Sequence, residues 1–290
     1  MKNNKIILDL CGGTGAWSAP YKEAGYDVRN ITLPEYDVTN TMVYEGKLHF
    51  RGTDKLGKAK LIIDPIEVYG IFAAPPCTYF SYARTNAKKP RDLEGAMSIV
   101  MSCLWIVWRC QQTLKSDNQK YPPLKFWVLE NPYYGMLRWF LGKPAYEFDP
   151  WEFGDAYKKR TALWGYFLLP PKKFTDMREV LTEEQIRKHK TNSQELPSMI
   201  LQHETICKEV GHSWSMKNKE MQCAYCHVKK TDLIWTGKAW VNKLPKFDYM
   251  KSKDIHPEHF GKFDRQTRRA ITPKGFAEAF FKANSGEWKA

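Results

Sequence analysis

The segment that decides the fold is residues 5–15, KIILDLCGGTG, an apolar run that ends in glycines. The letters KIILDL have the length and composition of a buried strand. Gly12, Gly13 and Gly15 follow, and glycine permits a tight turn that brings the backbone close to a ligand. The GxxxxGK[ST] pattern of a P-loop is absent, so the turn predicts either a cofactor-binding loop or an ordinary tight turn.

Strands and helices alternate outward from this segment. Strands are predicted at residues 5–10, 26–31, 69–74 and 125–129, and helices at residues 16–24 and 93–114. This alternation indicates an α/β fold with a mainly parallel sheet and helices on both faces. A further helix is predicted from Thr272, with Pro273 near its start and an apolar face of Phe276, Ala277, Phe280 and Phe281.

Several residues within these elements are expected in the core. Cys103 and Cys110 lie seven positions apart on a predicted helix and therefore share one face. Cys11 is expected to pack beside the glycine turn. Core positions are also expected for Trp105, Trp108, Trp127 and Trp139.

The charge balance favours a polyanionic partner. The 290 residues include 45 Lys and Arg against 32 Asp and Glu, a formal net charge of +13. Nucleic acid is the simplest such partner, and a solvated basic surface is the alternative. No apolar run reaches the ~18 residues of a membrane span, and no signal-peptide cleavage site follows the N-terminal strand. The chain is therefore expected to have no membrane attachment. Its seven cysteines, an odd count, fit a reduced, cytoplasmic protein.

Two further strand ends carry chemically useful residues. In Ala74-Pro75-Pro76-Cys77 the prolines fix the backbone and present a thiol, either as a nucleophile or as a small packing residue. Glu130 follows an apolar strand, where a half-buried carboxyl can stay protonated and donate a hydrogen bond, or can form a cap or salt bridge.

Residues 204–246 are predicted to form a separate small module, because they hold three of the seven cysteines and many lysines. The pattern Cys207-x4-His212-x10-Cys223-x2-Cys226 suits tetrahedral zinc, with His203 or His227 as substitutes for His212. Four protein ligands leave no open position, so the metal would be structural. Chance clustering of reduced cysteines is the alternative. The hairpin-like segment DLIWTGKAWV, residues 232–241, belongs to the same module.

The motifs taken together resemble the cytosine carbon-5 DNA methyltransferase family, in short versions carried by bacteriophages. The resemblance rests on DLCGGTG at 9–15, APPC at 74–77, LENP at 129–132, YKKRTALWG at 157–165 and TPKGFA at 272–277. It spans residues 5–165 and 268–284. The zinc module lies where this family places its target-recognition region.

The resemblance implies a Rossmann-like fold that binds S-adenosylmethionine. Cys77 would be the nucleophile, Glu130 the acid that faces ring nitrogen 3, and Arg160 the cation on the 2-oxo group or a flanking phosphate. The implied cofactor residues are Asp9, Leu10, Cys11, Gly12, Gly13, Thr14, Gly15, Asp37 and Pro75. The family's acidic ribose partner is missing from Arg29-Asn30-Ile31-Thr32, which makes Asp37 or Glu35 its candidate replacement.

The sequence therefore predicts a monomeric enzyme that methylates cytosine carbon 5 in double-stranded DNA. The predicted parts are a catalytic domain at 1–180, a target-recognition region at 181–262 and a C-terminal helix at 263–290. A tRNA cytosine methyltransferase, or a non-catalytic zinc-containing DNA-binding protein on the same fold, are the alternatives. Ala74 and Cys77 disfavour an amino-methyltransferase, which would carry a polar residue before the prolines and an aromatic residue after them.

Overall fold

A six-stranded, mostly parallel sheet forms the framework of the structure, a computed structural model. Its strands, in spatial order, are β2 (Tyr26–Ile31), β1 (Asn3–Leu10), β6 (Val68–Ala73), β7 (Phe126–Pro132), β9 (Thr161–Tyr166) and β8 (Tyr146–Phe148). The first four strands are parallel, whereas β9 runs antiparallel to both β7 and β8. The predicted α/β fold with a mainly parallel sheet is confirmed, and it is compatible with a Rossmann-like arrangement.

The structure describes residues 3–53, 60–82, 88–113, 124–180, 214–217, 220–223, 233–235, 240–242, 262–263 and 265–286. The chain divides into two compact units. The first comprises Met1–Thr175 and Tyr249–Ala290, and the second comprises Asp176–Asp248. The six-stranded sheet belongs to the first unit.

Short antiparallel sheets accompany the main sheet. In the first unit β3 (Asp37–Tyr44), β4 (Lys47–Arg51) and β5 (Leu61–Ile63) form a three-stranded sheet. In the second unit β10 (Trp214–Lys217) pairs with β11 (Glu220–Cys223), and β12 (Leu233–Trp235) pairs with β13 (Trp240–Asn242). The last pair confirms the hairpin predicted at 232–241.

Five helices are described. They are α1 (Ala19–Glu23), α2 (Leu93–Gln112), α3 (Leu137–Leu141), α4 (Arg265–Ala270) and α5 (Lys274–Asn284). Single 3-10 turns occupy Pro65–Glu67, Pro150–Phe153 and Met177–Val180. Helix α1 is shorter than the predicted 16–24 because Pro20 occupies its first turn, where proline favours a helix start.

Helix α2 connects β6 with β7 and packs one face into the core. Asp92 caps it by accepting a hydrogen bond from the Gly95 N–H at 2.8 Å. Within the described residues it alone has the length and apolar composition of a membrane span. Its buried face consists of Ala96, Val100, Cys103, Ile106, Val107 and Cys110. The predicted core positions of Cys103 and Cys110 are thus confirmed.

An aromatic layer covers the other face of the sheet. Phe276 and Phe280 of α5 are fully buried, and Phe276 stacks on Phe148 with ring centroids 3.8 Å apart. Phe280 lies edge-on to Trp17 and contacts Phe72. Helix α5, predicted from Thr272, therefore completes the core of the first unit.

The prediction that four tryptophans lie in the core is wrong for two of them. Trp105 and Trp127 are partly buried against the core. Trp108 is 62% exposed on α2, and Trp139 is 61% exposed on α3. Both helices bury a single face, and these two side chains lie on the other face.

Candidate functional site

The ligand-binding crevice of such a sheet is expected where neighbouring strands connect in opposite directions. Here β1 is followed by β2 on one side of the sheet, and β6 lies on its other side. The chain therefore leaves the carboxyl ends of β1 and β6 in opposite directions at this point. The glycine turn follows β1 and the Pro-Pro-Cys segment follows β6, so both loops border the same crevice. The Ala74 N–H donates to the Leu10 carbonyl at 2.9 Å and holds them side by side.

The glycine turn is built from left-handed backbone. The φ angle is +58° at Cys11, +54° at Gly13 and +72° at Gly15. The Cys11 N–H donates to the Ile31 carbonyl at 2.8 Å, which ties the turn to the end of β2. Leu10 is fully buried, whereas Thr14 is exposed at the tip of the turn.

Asp9 lies buried beneath this turn. A side chain at Gly12 would collide with its carboxylate, which explains the glycine there. The Ser18 hydroxyl donates to Asp9 Oδ2 at 2.5 Å, and within the described residues Oδ1 has no hydrogen-bond partner. Burial raises the pKa of Asp9 to about 6, against the lowering effect of Ser18.

Asn30 is a candidate ligand residue that sequence reasoning missed. It precedes the last residue of β2, and its Nδ2 donates to the Gly13 carbonyl at 3.0 Å. Its Oδ1 is buried and has no partner in the described part of the chain. The predicted alternative, Asp37, lies in the three-stranded sheet, where its Oδ1 accepts hydrogen bonds from Thr39. The position of Asn30 near the carboxyl end of β2 was the available signal for it.

The segment after β6 presents Cys77. Pro75 is buried and Cys77 is exposed. The N–H groups of Phe80 and Ser81 donate to the Cys77 carbonyl at 3.1 and 2.9 Å, so a tight turn follows the thiol. Arg91 reinforces this turn by donating to two of its backbone carbonyls at 2.7 and 2.9 Å.

The loop after β7 is attached directly to this turn. Asn131 Nδ2 donates to the Pro75 carbonyl at 3.1 Å, and the Met136 N–H donates to the Phe80 carbonyl at 2.9 Å. A β-bridge joins Ser81 to Gly135. These three connections fix the loop that carries Cys77 against the strand end that carries Glu130.

Lys159 forms an ion pair with the candidate carboxyl of Glu130. Its Nζ is 3.8 Å from Glu130 Oε1, and both side chains are about one-fifth exposed. Arg160, the predicted cation, forms ion pairs with Glu147 at 2.6 Å and Asp149 at 3.3 Å. The structure thus brings Lys159, rather than Arg160, to Glu130.

The electrostatics connect Cys77 with the same groups. Partial desolvation raises the pKa of the Cys77 thiol, and the negative charge of Glu130 raises it further. Lys159 and Arg269 of α4 lower it. Cys77, Glu130 and Lys159, with Arg269 contributing charge, therefore form one electrostatic cluster at the ends of β6 and β7. Lys159 and Arg269 were missed because neither occupies a strand end.

Tyr157 is a further group near this cluster. Its ring is buried, and its hydroxyl has no hydrogen-bond partner among the described residues. Burial raises its pKa, as do the charges of Asp155 and Glu130. The Tyr157 hydroxyl is thus a buried donor within electrostatic range of Glu130.

The predicted zinc ligands fall largely outside the described residues. This applies to Cys207, His212 and Cys226, and the alternative ligands His203 and His227 lie outside them too. Cys223 is described as the last residue of β11. Zinc binding remains a prediction of the sequence.

Comparison with known proteins found no family model that matches the chain and no curated protein that matches it.

Proposed function

We propose that this chain is a DNA methyltransferase that uses S-adenosylmethionine to methylate cytosine at carbon 5. The observation that carries the proposal is the cluster of Cys77, Glu130 and Lys159 beside the glycine turn at the sheet's crevice. A nucleophile, an acid and a cation at one edge of a parallel sheet match the chemical needs of this reaction.

The residues around the glycine turn fit the adenosine part of such a cofactor. Gly12 lets the backbone pass close to the Asp9 carboxylate, and Asn30 Oδ1 can accept a hydrogen bond from a ribose hydroxyl. Asn30 would then take the place of the acidic residue expected at the end of β2. When bound, S-adenosylmethionine supplies an electrophilic methyl group, which cytosine carbon 5 accepts.

Cys77 and Glu130 activate the base for that transfer. The Cys77 thiolate adds to ring carbon 6, and the π electrons of the 5,6 double bond move toward carbon 5. A proton shared between the Glu130 carboxyl and nitrogen 3 stabilises the negative charge that develops on the ring. After methylation a water molecule takes the proton from carbon 5, the electron pair of that C–H bond forms the 5,6 double bond again, and Cys77 leaves carbon 6 as the thiolate. The target lies inside a duplex, so the base must be flipped out.

We assign the cation of this site to Lys159. Its ammonium lies beside Glu130, where the 2-oxo group of a cytosine held at nitrogen 3 would also lie. The Arg160 guanidinium is occupied by Glu147 and Asp149, and its role is to fix the loop before β9. Lys159→Gln should lower kcat by about 10²-fold or more, whereas Arg160→Gln should mainly lower stability.

The zinc module and the charge complete the proposal. The four ligands predicted between Cys207 and Cys226 would hold a structural zinc in the region that recognises the target sequence. The net charge of +13 suits a DNA backbone. Restriction–modification by a bacteriophage-encoded enzyme is the context that the sequence resemblance suggests.

Mass spectrometry of nucleosides tests the proposal. The full chain is incubated with S-adenosylmethionine and unmethylated mixed-sequence DNA, with Cys77→Ala in parallel. We expect 5-methyldeoxycytidine from the wild type only, while Cys77→Ala still binds the cofactor. Transfer by Cys77→Ala at the wild-type rate would exclude the mechanism.

The same experiment separates the alternatives. Methylation of tRNA and not of DNA would establish the RNA enzyme. Binding of zinc, cofactor and DNA without any methylated nucleoside would indicate a binding protein on this fold.

A further inference from the structure

We infer that a cleft beside α3 binds the DNA nucleotide that flanks the target cytosine. The cleft has a volume of about 440 Å³. It is lined by Tyr133, Arg138, Trp139, Gly142, Lys143 and Pro144. The inference deepens the proposed function and rests on it for the identity of the reaction, but the cleft itself can be tested by binding alone.

The cleft begins at the strand end that carries the candidate acid. Tyr133 follows Glu130 by three residues, and its N–H donates to the Arg160 carbonyl at 2.9 Å. The Tyr133 ring lies between two guanidinium groups, 5.7 Å from that of Arg138 and 5.8 Å from that of Arg160. A strand of DNA with its target base near Glu130 would place a neighbouring nucleotide at this cleft.

The lining has the two chemical features that a nucleotide requires. Trp139 offers an exposed indole, and the edge-on ring of Tyr82 lies 6.1 Å from it. Arg138 and Lys143 are exposed and positively charged, and none of the described residues that line the cleft is a carboxylate. A base can stack on the indole while its phosphate meets the two cations.

Hydrogen bonds within the protein fix the shape of the cleft. Trp164 Nε1 donates to the Gly142 carbonyl at 3.0 Å, and the Gly142 N–H donates to the Arg138 carbonyl at 2.9 Å. Leu137, the first residue of α3, is fully buried and anchors the helix. A preformed cleft loses little conformational entropy on binding, which favours a ligand contact over an accidental exposure of Trp139.

Fluorescence anisotropy with a labelled single-stranded oligodeoxynucleotide of mixed sequence tests the inference. We expect Trp139→Ala in the full chain to weaken binding about tenfold, and Trp139→Phe, which keeps a flat ring, to restore most of it. Trp108→Ala removes an equally exposed tryptophan from α2 and should bind as the wild type does. Arg138→Gln combined with Lys143→Gln should reduce the slope of log K against log salt by roughly 1.5.

The outcomes separate this inference from the proposed function. Wild-type binding by both Trp139→Ala and the double variant would overturn the cleft, whatever the enzyme does. Weakened binding in a chain that transfers no methyl group would support the cleft and reject the methyltransferase. In an active enzyme, Trp139→Ala should raise KM for duplex DNA with little change in kcat. If Trp139→Ala lost binding to an RNA oligonucleotide while it still bound the DNA oligonucleotide as the wild type does, the inference would also be overturned.

Discussion

Asp9 is a carboxyl group held where its charge is poorly solvated. It is fully buried, and burial raises its pKa from the ordinary 3.8 to about 6. Below about pH 4 the group is protonated in both the folded and the unfolded chain. Between pH 4 and 6 the unfolded chain loses this proton first, so the free energy of unfolding falls as the pH rises.

Asp9→Asn should remove this pH dependence. One pKa unit corresponds to about 1.4 kcal/mol, so the wild type should lose up to about 3 kcal/mol between pH 4 and 7 from this group. Asparagine keeps an acceptor for the Ser18 hydroxyl and carries no charge. Urea unfolding at several pH values measures the difference. Glu45→Gln, at an exposed turn, is the control and should retain the wild-type profile.

The pH dependence of Cys77 alkylation should depend on the charges of Glu130 and Lys159. Iodoacetamide alkylates the thiolate. A raised pKa of the Cys77 thiol therefore shifts its alkylation to higher pH. Glu130→Gln removes a charge that raises the pKa of Cys77 and should shift the alkylation profile to lower pH. Lys159→Gln removes a charge that lowers it and should shift the profile to higher pH.

Peptide mass spectrometry of Cys77 measures both profiles without any need for substrate. The buried Cys103 and Cys110 serve as internal controls that should stay unmodified in the folded protein. Identical profiles in wild type and both variants would show that Glu130 and Lys159 do not act on the thiol.

Sequence reasoning could find Cys77 and Glu130 because each lies close to the carboxyl end of an apolar run that forms a strand. It named Arg160 as the cation, whereas the adjacent Lys159 is the residue that forms the ion pair with Glu130. The segment that holds them continues the pairing with β7, and its register decides which of them faces Glu130. That register depends on a contact between strands about 30 residues apart, which no local pattern reveals.

At the scale of the elements, α5 contributes to stability through its buried aromatic face. Its Phe280 is fully buried among Trp17, Phe72 and Phe126. Phe280→Ala should lower the free energy of unfolding by about 3–5 kcal/mol because it removes a large buried ring and leaves a cavity. Chemical denaturation measures this loss. Lys282→Ala, an exposed change on the same helix, should cost less than about 0.5 kcal/mol.

The parallel strands and α2 could be predicted because apolar runs of typical length alternate with a long apolar helix. The three-stranded sheet of β3, β4 and β5 was not predicted. Its central turn, Glu45-Gly46, has φ angles of +49° and +76°, which identify the paired left-handed residues of a hairpin. Glu-Gly predicts a hairpin turn less strongly than Asn-Gly does. The polar residues of β3 also obscure the alternation of apolar and polar side chains that identifies a strand. The antiparallel direction of β9 has no sequence signal, because strand periodicity is the same in both directions.

At the scale of the whole molecule, the second unit should contain metal. The purified chain is expected to hold about one zinc ion, measured by elemental analysis. Cys226→Ser should lower this content strongly, while Cys77→Ala, outside the predicted ligand set, should leave it unchanged. Equal zinc content in all three proteins would reject the predicted site. A chelator should unfold this unit before the six-stranded sheet, because a structural metal contributes directly to folding.

The first unit is assembled from segments that are far apart in the chain. The Tyr26 hydroxyl donates to the Ser285 carbonyl across 259 positions, and Phe148 stacks on Phe276. Synthesis begins at the N-terminus, so the aromatic face of the sheet is made long before α5 can cover it. A ribosome-bound chain therefore exposes this face to chaperones and to other nascent chains. The core can close only after residues 274–284 have left the ribosome.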